Sequence, residues 1–276
     1  MVSLDRYFTR DTLIACHDAG AAQMILDNTS EPILRKCRFK LKGPAKQIFS
    51  VYAGNLIDTV SLPPSVRQVI CGTGWQDRLE FETLREAALR GIPNIALVDR
   101  ATNFNLRFSR DGEIVEPSMT LIPQNEISKL QNCIHIGNLN SFIDHSWERQ
   151  IDTIRKNNSK LSNLDSLFIG QPIVHKNGCV DTNLQYDFLR SWLASQPANT
   201  IHGFRPHPSD KTEVPSDLSS KISISDNEYN ACEDISRARK IVGIDSYLLE
   251  IAATAGKQTF QCSLVNHKID IKAYEL

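Results

Sequence analysis

Short apolar runs bounded by Gly, Pro, Asp and Asn alternate with amphipathic stretches along the whole chain, and that rhythm allows few folds. Strands buried on both faces read as continuous apolar runs, and the crossovers between parallel strands need helices. The chain is therefore expected to be α/β. In the first half the strand candidates are Thr12–Cys16, Arg38–Leu41, Ile57–Val60, Gln68–Cys71, Ile95–Val98, Met119–Ile122 and Ile134–Ile136. The clearest helix is Leu79–Arg90, where Leu79, Thr83, Leu84, Ala87 and Ala88 share a face and Gly91 with Pro93 ends it. The segment FSRDGEIV, centred on Asp111-Gly112, predicts an inserted β-hairpin.

From Ser141 to Leu164 the sequence turns polar, with WERQIDTIRKNNSKLSN holding one amphipathic helix and an Asn/Ser-rich tail, the pattern of a linker. The rhythm then restarts. Strands are predicted at Ser166–Gly170, Thr200–Arg205, Lys221–Ile224, Lys240–Ile244 and Gln258–Gln261, and helices at Asp181–Ser195, Tyr229–Arg237 and Tyr247–Ala255. With 276 residues the chain can hold two domains of ordinary size. The expected division is residues 1–145 and 146–276, two Rossmann-like halves with parallel sheets facing across a cleft.

Charge excludes some partners. A formal net charge of −1 gives no electrostatic case for nucleic acid. Cys16, Cys37, Cys71, Cys133, Cys179, Cys232 and Cys262 are scattered, odd in number and form no CxxC pair, so reduced core thiols are expected and no zinc site. The opening MVSLDRYFTRDTLIAC has acidic residues and no long apolar core, unlike a signal peptide, and no run approaches a membrane span. A cytoplasmic protein with at most peripheral membrane contact is expected.

Ligands of open α/β sheets bind beyond the carboxyl ends of the strands, so the residues following each strand carry most information. In IACHDAGAAQMI a strand runs straight into His17 and Asp18, an acid/base pair or, for Asp18, an ordinary helix cap. Gly20 permits close backbone approach there. In VICGTGWQD, Gly72-Thr73-Gly74 marks either a tight turn or a ligand contact, and it is too short for a dinucleotide fingerprint. The polar loop after Val98 brings Asn103 and Arg107 toward the same edge, within reach of a phosphate.

The two strongest junctions lie in the second half. TIHGFRPHPSDK delivers Arg205, His207 and Ser209 from a strand, with prolines fixing the backbone on both sides of His207. Arg205 supplies a planar fork for phosphate and His207 a donor to a leaving phosphate. In KIVGIDSYLLEIAATAGK, Asp245 and Ser246 open a helix whose N-terminus suits a phosphate, Glu250 lies one turn in, and Lys257 follows the helix.

RPHP followed by VGIDSYLLEIAATAGK resembles the paired His-Pro and serine motifs of bacterial sialyltransferases, Kdo transferases and glycerophosphotransferases. Asp245 stands where those motifs often carry a second hydroxyl residue. The resemblance covers the C-terminal half and implies the GT-B type of glycosyltransferase. It puts His207 against the donor phosphate and Ser246 on phosphate at a helix N-terminus. A carboxylate after the first strand serves as base in the sialyltransferases, and the matching position is Asp18, with His17 beside it.

The function implied is transfer of a sugar from a phosphate-activated donor, CMP-linked in the first instance, to a glycan or glycolipid acceptor in bacterial surface-polysaccharide synthesis. No cofactor is expected. Transfer from a sugar diphosphate such as phosphoribosyl pyrophosphate is the alternative, with Mg²⁺ held by a carboxylate such as Asp245. A sugar-nucleotide epimerase and a non-catalytic sugar-phosphate-binding subunit of a larger synthase complete the alternatives.

Overall fold

The computed structural model describes residues 4–74, 77–130, 138–158, 163–171, 173–174, 180–181, 183–207, 210, 212–225, 230–266 and 268–275. The chain divides into two compact units, Met1–Ser146 and Trp147–Leu276.

Unit 1 runs β1 (Thr12–Cys16), α1 (Ala19–Asn28), α2 (Glu31–Leu34), β2 (Arg38–Leu41), α3 (Ala45–Ile48), β3 (Gln68–Cys71), α4 (Leu79–Leu89), β4 (Asn94–Leu97) and α5 (Phe104–Arg107). The expected hairpin follows as β5 (Ser109–Arg110) and β6 (Glu113–Ile114), before β7 (Met119–Pro123) and β8 (Asn138–Phe142). The main sheet has the order β2-β1-β3-β4-β7-β8, and every pairing in it is parallel.

The inner strands β1, β3, β4 and β7 are largely apolar and buried because both faces are covered, whereas the edge strands β2 and β8 carry polar residues and are partly exposed. Ile14, Cys16, Ile70 and Leu97 face one core with Ala22 and Ile25 of α1, Phe39 and Phe49. The alternate residues Leu13, Ala15, Cys71 and Ala96 face another with Phe81 and Leu84 of α4, Phe104 and Phe108.

Helix α6 (His145–Asn157) spans the boundary, and its Ile151 and Ile154 pack into the core of unit 2. Unit 2 continues with β9 (Leu164–Ile169), β10 (Ile173–Val174), β11 (Val180–Asp181), α7 (Leu184–Ala194), β12 (His202–Arg205), α8 (Ser216–Ser219) and β13 (Ile222–Ile224). Then come α9 (Ala231–Arg237), β14 (Ala238–Gly243), α10 (Tyr247–Thr254), β15 (Gln258–Val265) and β16 (Lys268–Ala273). The sheet order is β13-β12-β9-β14-β15-β16, parallel except for the last pair. Leu167, Ile241, Ile235 and Leu249 form the core on one face, and Phe168, Phe204, Val242, Tyr186 and Trp192 the core on the other. Each unit is thus a doubly wound, Rossmann-like α/β domain.

Several expectations are corrected. Residues 57–60 form no strand: only a single bridge joins Phe39 to Leu56, and Val60 is 94% exposed with no sheet to cover it. Ser141 belongs to β8, so the linker begins later than expected, while the amphipathic helix expected within it is present as α6. Helix α7 starts at Leu184, later than expected, because Asp181 is in β11 and its carboxylate accepts the N–H groups of Asn183 and Leu184. The antiparallel strand β16 was not foreseen. The expected strand Ile134–Ile136 lies outside the described residues. Cys16, Cys37, Cys71, Cys232 and Cys262 are buried thiols in no disulfide among the described residues; Cys133 and Cys179 fall outside the described residues.

Candidate functional site

In unit 1 the chain passes from β1 to β2 on one side and places β3 on the other, so the strand order reverses between β1 and β3. Ligand crevices of open sheets form at such points, beyond the carboxyl ends of the strands. The residues there are His17 and Asp18 after β1, Gly72-Thr73-Gly74 after β3 and Asp99 after β4.

Three expected glycines are explained by crowding around carboxyl groups. A Cβ on Gly20 would collide with Oδ2 of Asp99. One on Gly74 would lie 3.0 Å from Cβ of Asp18 and 3.3 Å from Oε1 of Glu80. One on Gly72 would lie 2.9 Å from Sγ of Cys16 and 3.0 Å from Cβ of Ala21 on α1. Gly20, Gly72 and Gly74 thus hold Asp18, Glu80 and Asp99 together against the backbone.

Asp18 caps α1 only loosely, accepting the Gly20 N–H at 3.4 Å. Burial pushes its carboxyl up to about 6, with the Asp99 charge adding to the rise and Arg107 opposing it. Glu80 is buried in the first turn of α4, and its Oε1 accepts the His17 N–H at 2.6 Å. Its Oε2 has no hydrogen-bond partner among the described residues. Burial pushes this carboxyl up to about 7, the His17 N–H works against the rise, and the Asp18 charge adds to it. Sequence reading missed Glu80, although one signal existed. It occupies a place in the buried series Leu79, Phe81, Thr83, Leu84 and Ala87, where a carboxylate is out of character.

Arg107, expected to reach a phosphate, is corrected to a pin. It is buried and donates to Asp99 Oδ1 at 2.8 Å, to the carbonyl and hydroxyl of Thr73 at 3.2 Å each, and to the Thr102 carbonyl at 3.1 Å. Thr73 is turned inward, donating to the Leu97 carbonyl at 3.1 Å. Asn103 is exposed and holds a left-handed φ of 56° at the start of α5, a conformation Asn tolerates better than most residues. The His17 ring packs on the left-handed Gly43 turn, where an added Cβ would lie 2.6 Å from Nε2.

In unit 2 the strand order reverses between β9 and β14. Arg205 ends β12 and His207 follows it on one side of β9, and Asp245 and Ser246 follow β14 on the other, so both motifs lie at the carboxyl edge. Between them Gly170 donates its N–H to the Arg205 carbonyl at 2.8 Å, with Phe204 and Gln185 packed where a Cβ would stand. His207 is half-buried, and burial lowers the tendency of its imidazole to take a proton. Ser246 caps α10, accepting the Leu248 N–H at 3.3 Å; Asp245 is exposed and Glu250 half-buried. Ser209 lies outside the described residues.

Two expected phosphate ligands have other roles. The Arg205 guanidinium is paired with buried Asp234 on α9, which also accepts from Ser225 at 2.7 Å, so its charge is already compensated. Lys257 precedes β15 and so lies at the amino edge, away from the ligand side. Its buried Nζ donates to the carbonyls of Ser236 and Ala238 at 3.0 and 2.6 Å, and burial pushes it down to about 8. Among the described residues no group of three or more His, Cys, Asp and Glu is arranged to hold a metal ion, and no helix is long and apolar enough to cross a membrane.

No protein-family model and no curated protein matches this chain. Solved structures do match in fold. HepE of Anabaena, determined with UDP-glucose, is similar over 90% of this chain and 79% of its own, at 8% identity and a TM-score of 0.56. The UDP-GlcNAc 2-epimerase of Neisseria meningitidis, bound to UDP-GlcNAc, is similar over 91% and 82%, at 11% identity and a TM-score of 0.58. The chain accordingly has the GT-B-type fold of two Rossmann-like units.

Proposed function

We propose that the protein is a glycosyltransferase that takes a sugar from a nucleotide-sugar donor. The observation carrying this reading is Asp18: a carboxyl raised to about 6, at the carboxyl edge where the strand order of unit 1 reverses. Such a group is ionised at neutral pH yet basic enough to accept a hydroxyl proton as the reaction proceeds. In the proposed step the acceptor oxygen attacks the anomeric carbon and Asp18 takes its proton. The bond from that carbon to the phosphate oxygen breaks, and the nucleotide leaves with the electron pair.

Unit 2 is the donor's half in this reading. His207 and the N-terminus of α10 at Ser246 stabilise the charge that develops on the leaving phosphate. Arg205 acts through the loop it anchors. Both similar proteins carry UDP-sugars, which favours a UDP-linked donor over the CMP-linked one suggested by the sequence motifs. The acceptor is a glycan or glycolipid of surface-polysaccharide synthesis.

Thermal shift against UDP-sugars, CMP-sugars and phosphoribosyl pyrophosphate tests the donor, since a ligand at 100 times its Kd adds about 2.7 kcal/mol. A rise in Tm with UDP-sugars and none with the other two is expected; a rise only with phosphoribosyl pyrophosphate contradicts the reading. A second reading, epimerisation of a UDP-sugar, is favoured by the likeness to the Neisseria enzyme. An epimerase converts the sugar with no acceptor present, whereas a transferase needs one and forms a glycoside.

A further inference from the structure

We propose that Glu80 is the positioning residue for Asp18, its carboxyl group holding the His17-Asp18 turn from beneath while it carries a proton of its own. The inference rests on the reading of Asp18 as the base. Four observations place Glu80 in this role. Its Oε1 receives the backbone N–H of His17, the residue that joins β1 to Asp18. Gly72 and Gly74 both leave room for that oxygen, each with a would-be Cβ 3.3 Å from it. Glu80 is 1% exposed, so it touches neither solvent nor substrate. Its Oε2 has no hydrogen-bond partner among the described residues.

The groups around it sharpen the argument. Cys16 and Asp18 come from β1 and its exit and Cys71 from β3, while Asp99 at the end of β4 and Arg107 of α5 act on Asp18. Arg107, the cation among them, already faces Asp99 at 2.8 Å. Two carboxyl groups so placed do not ionise independently: the one nearer solvent loses its proton first and the buried one keeps its proton longer. Asp18 is the more exposed of the two and is the proton acceptor. Glu80, protonated, anchors the turn without adding charge. Once Glu80 ionises, an uncompensated buried charge lies under the turn, the turn loosens and turnover falls.

The consequence is a bell-shaped dependence of turnover on pH. The rising limb belongs to Asp18 at about 6 and the falling limb to Glu80 at about 7. Glu80→Gln keeps an acceptor for the His17 N–H but cannot ionise. It is expected to keep the rising limb and lose the falling one, and its Tm should drop less between pH 6 and 8 than that of the parent, the remaining drop belonging to Asp18. A falling limb and a Tm drop both unchanged in Glu80→Gln would overturn the proposal. If that variant does not fold, Asp18→Asn supplies the test. Removing the Asp18 charge should move the Tm inflection of Glu80 to lower pH, and an unmoved inflection overturns the proposal equally. The two readings fail separately. Normal turnover in Asp18→Asn removes the base, whereas a dead Asp18→Asn beside an unchanged Glu80→Gln profile removes only the role of Glu80.

Discussion

At the scale of single residues, what each charged side chain already touches separates ligand contacts from internal struts. Arg107 and Asp99 form a buried pair with side-chain exposures of 7% and 14%. Removing one member leaves the other charge buried without a partner, which typically costs about 3–5 kcal/mol. Arg107→Ala is therefore expected to lower Tm steeply, whereas a phosphate contact would leave Tm intact and weaken donor binding. Gly20→Ala should be destabilising by about 1–3 kcal/mol, since the new methyl meets the Asp99 carboxylate. Near-parental Tm in urea or heat denaturation would contradict the crowding argument.

The sequence pointed to His17, Asp18, Gly72 and Gly74 as candidates because they follow strands, where ligand edges lie, and to Gly20 in the first turn of the helix after β1. It could not reveal that Gly20, Gly72 and Gly74 serve neighbouring carboxyl groups, nor that Arg107, Arg205 and Lys257 are spent on internal partners. Those facts depend on contacts between segments far apart in sequence, such as His17 with Glu80 or Arg205 with Asp234. Local pattern carries no record of them.

At the scale of elements, periodicity located most strands and helices because the inner strands are largely apolar and each long helix has one apolar face. It failed where exposure decides. Residues 57–60 have a strand-like composition but leave the β2 edge after the Leu56 bridge and run exposed to Val60, and β16 is a half-exposed outer strand with polar residues interleaved. The two donor-side elements carry their own prediction. Ser246→Ala removes the hydroxyl at the N-terminus of α10 that, in the proposed function, serves the donor in ground and transition states alike. It should weaken donor affinity by about 1–2 kcal/mol with little change in the rate constant at saturation. His207→Ala, on the loop after β12, should instead cut the rate constant on the order of a hundredfold with Tm maintained. Equal effects of both variants on affinity and rate would show that the two elements do not divide the work in this way.

For the whole molecule, two doubly wound units are assigned complementary tasks, unit 1 supplying the base and unit 2 holding the leaving group. The decisive measurement is Asp18→Asn, followed by turnover, donor-induced Tm shift and the pH dependence of Tm. The side chain of Asn caps a helix about as well as Asp, so loss of the cap is not at issue. The sign of the stability change is fixed by linkage. The carboxyl of Asp18 is raised from 3.8 unfolded to about 6 folded, so the stability it contributes is complete below pH 4 and is lost as pH rises through 6. The variant escapes that loss and should be more stable than the parent at pH 8, by up to about 2–3 kcal/mol. The account predicts that Asp18→Asn melts no lower than the parent at pH 8 and binds donor normally, but turns over at least about a hundredfold more slowly. Near-normal turnover in a folded, donor-binding Asp18→Asn protein would contradict it.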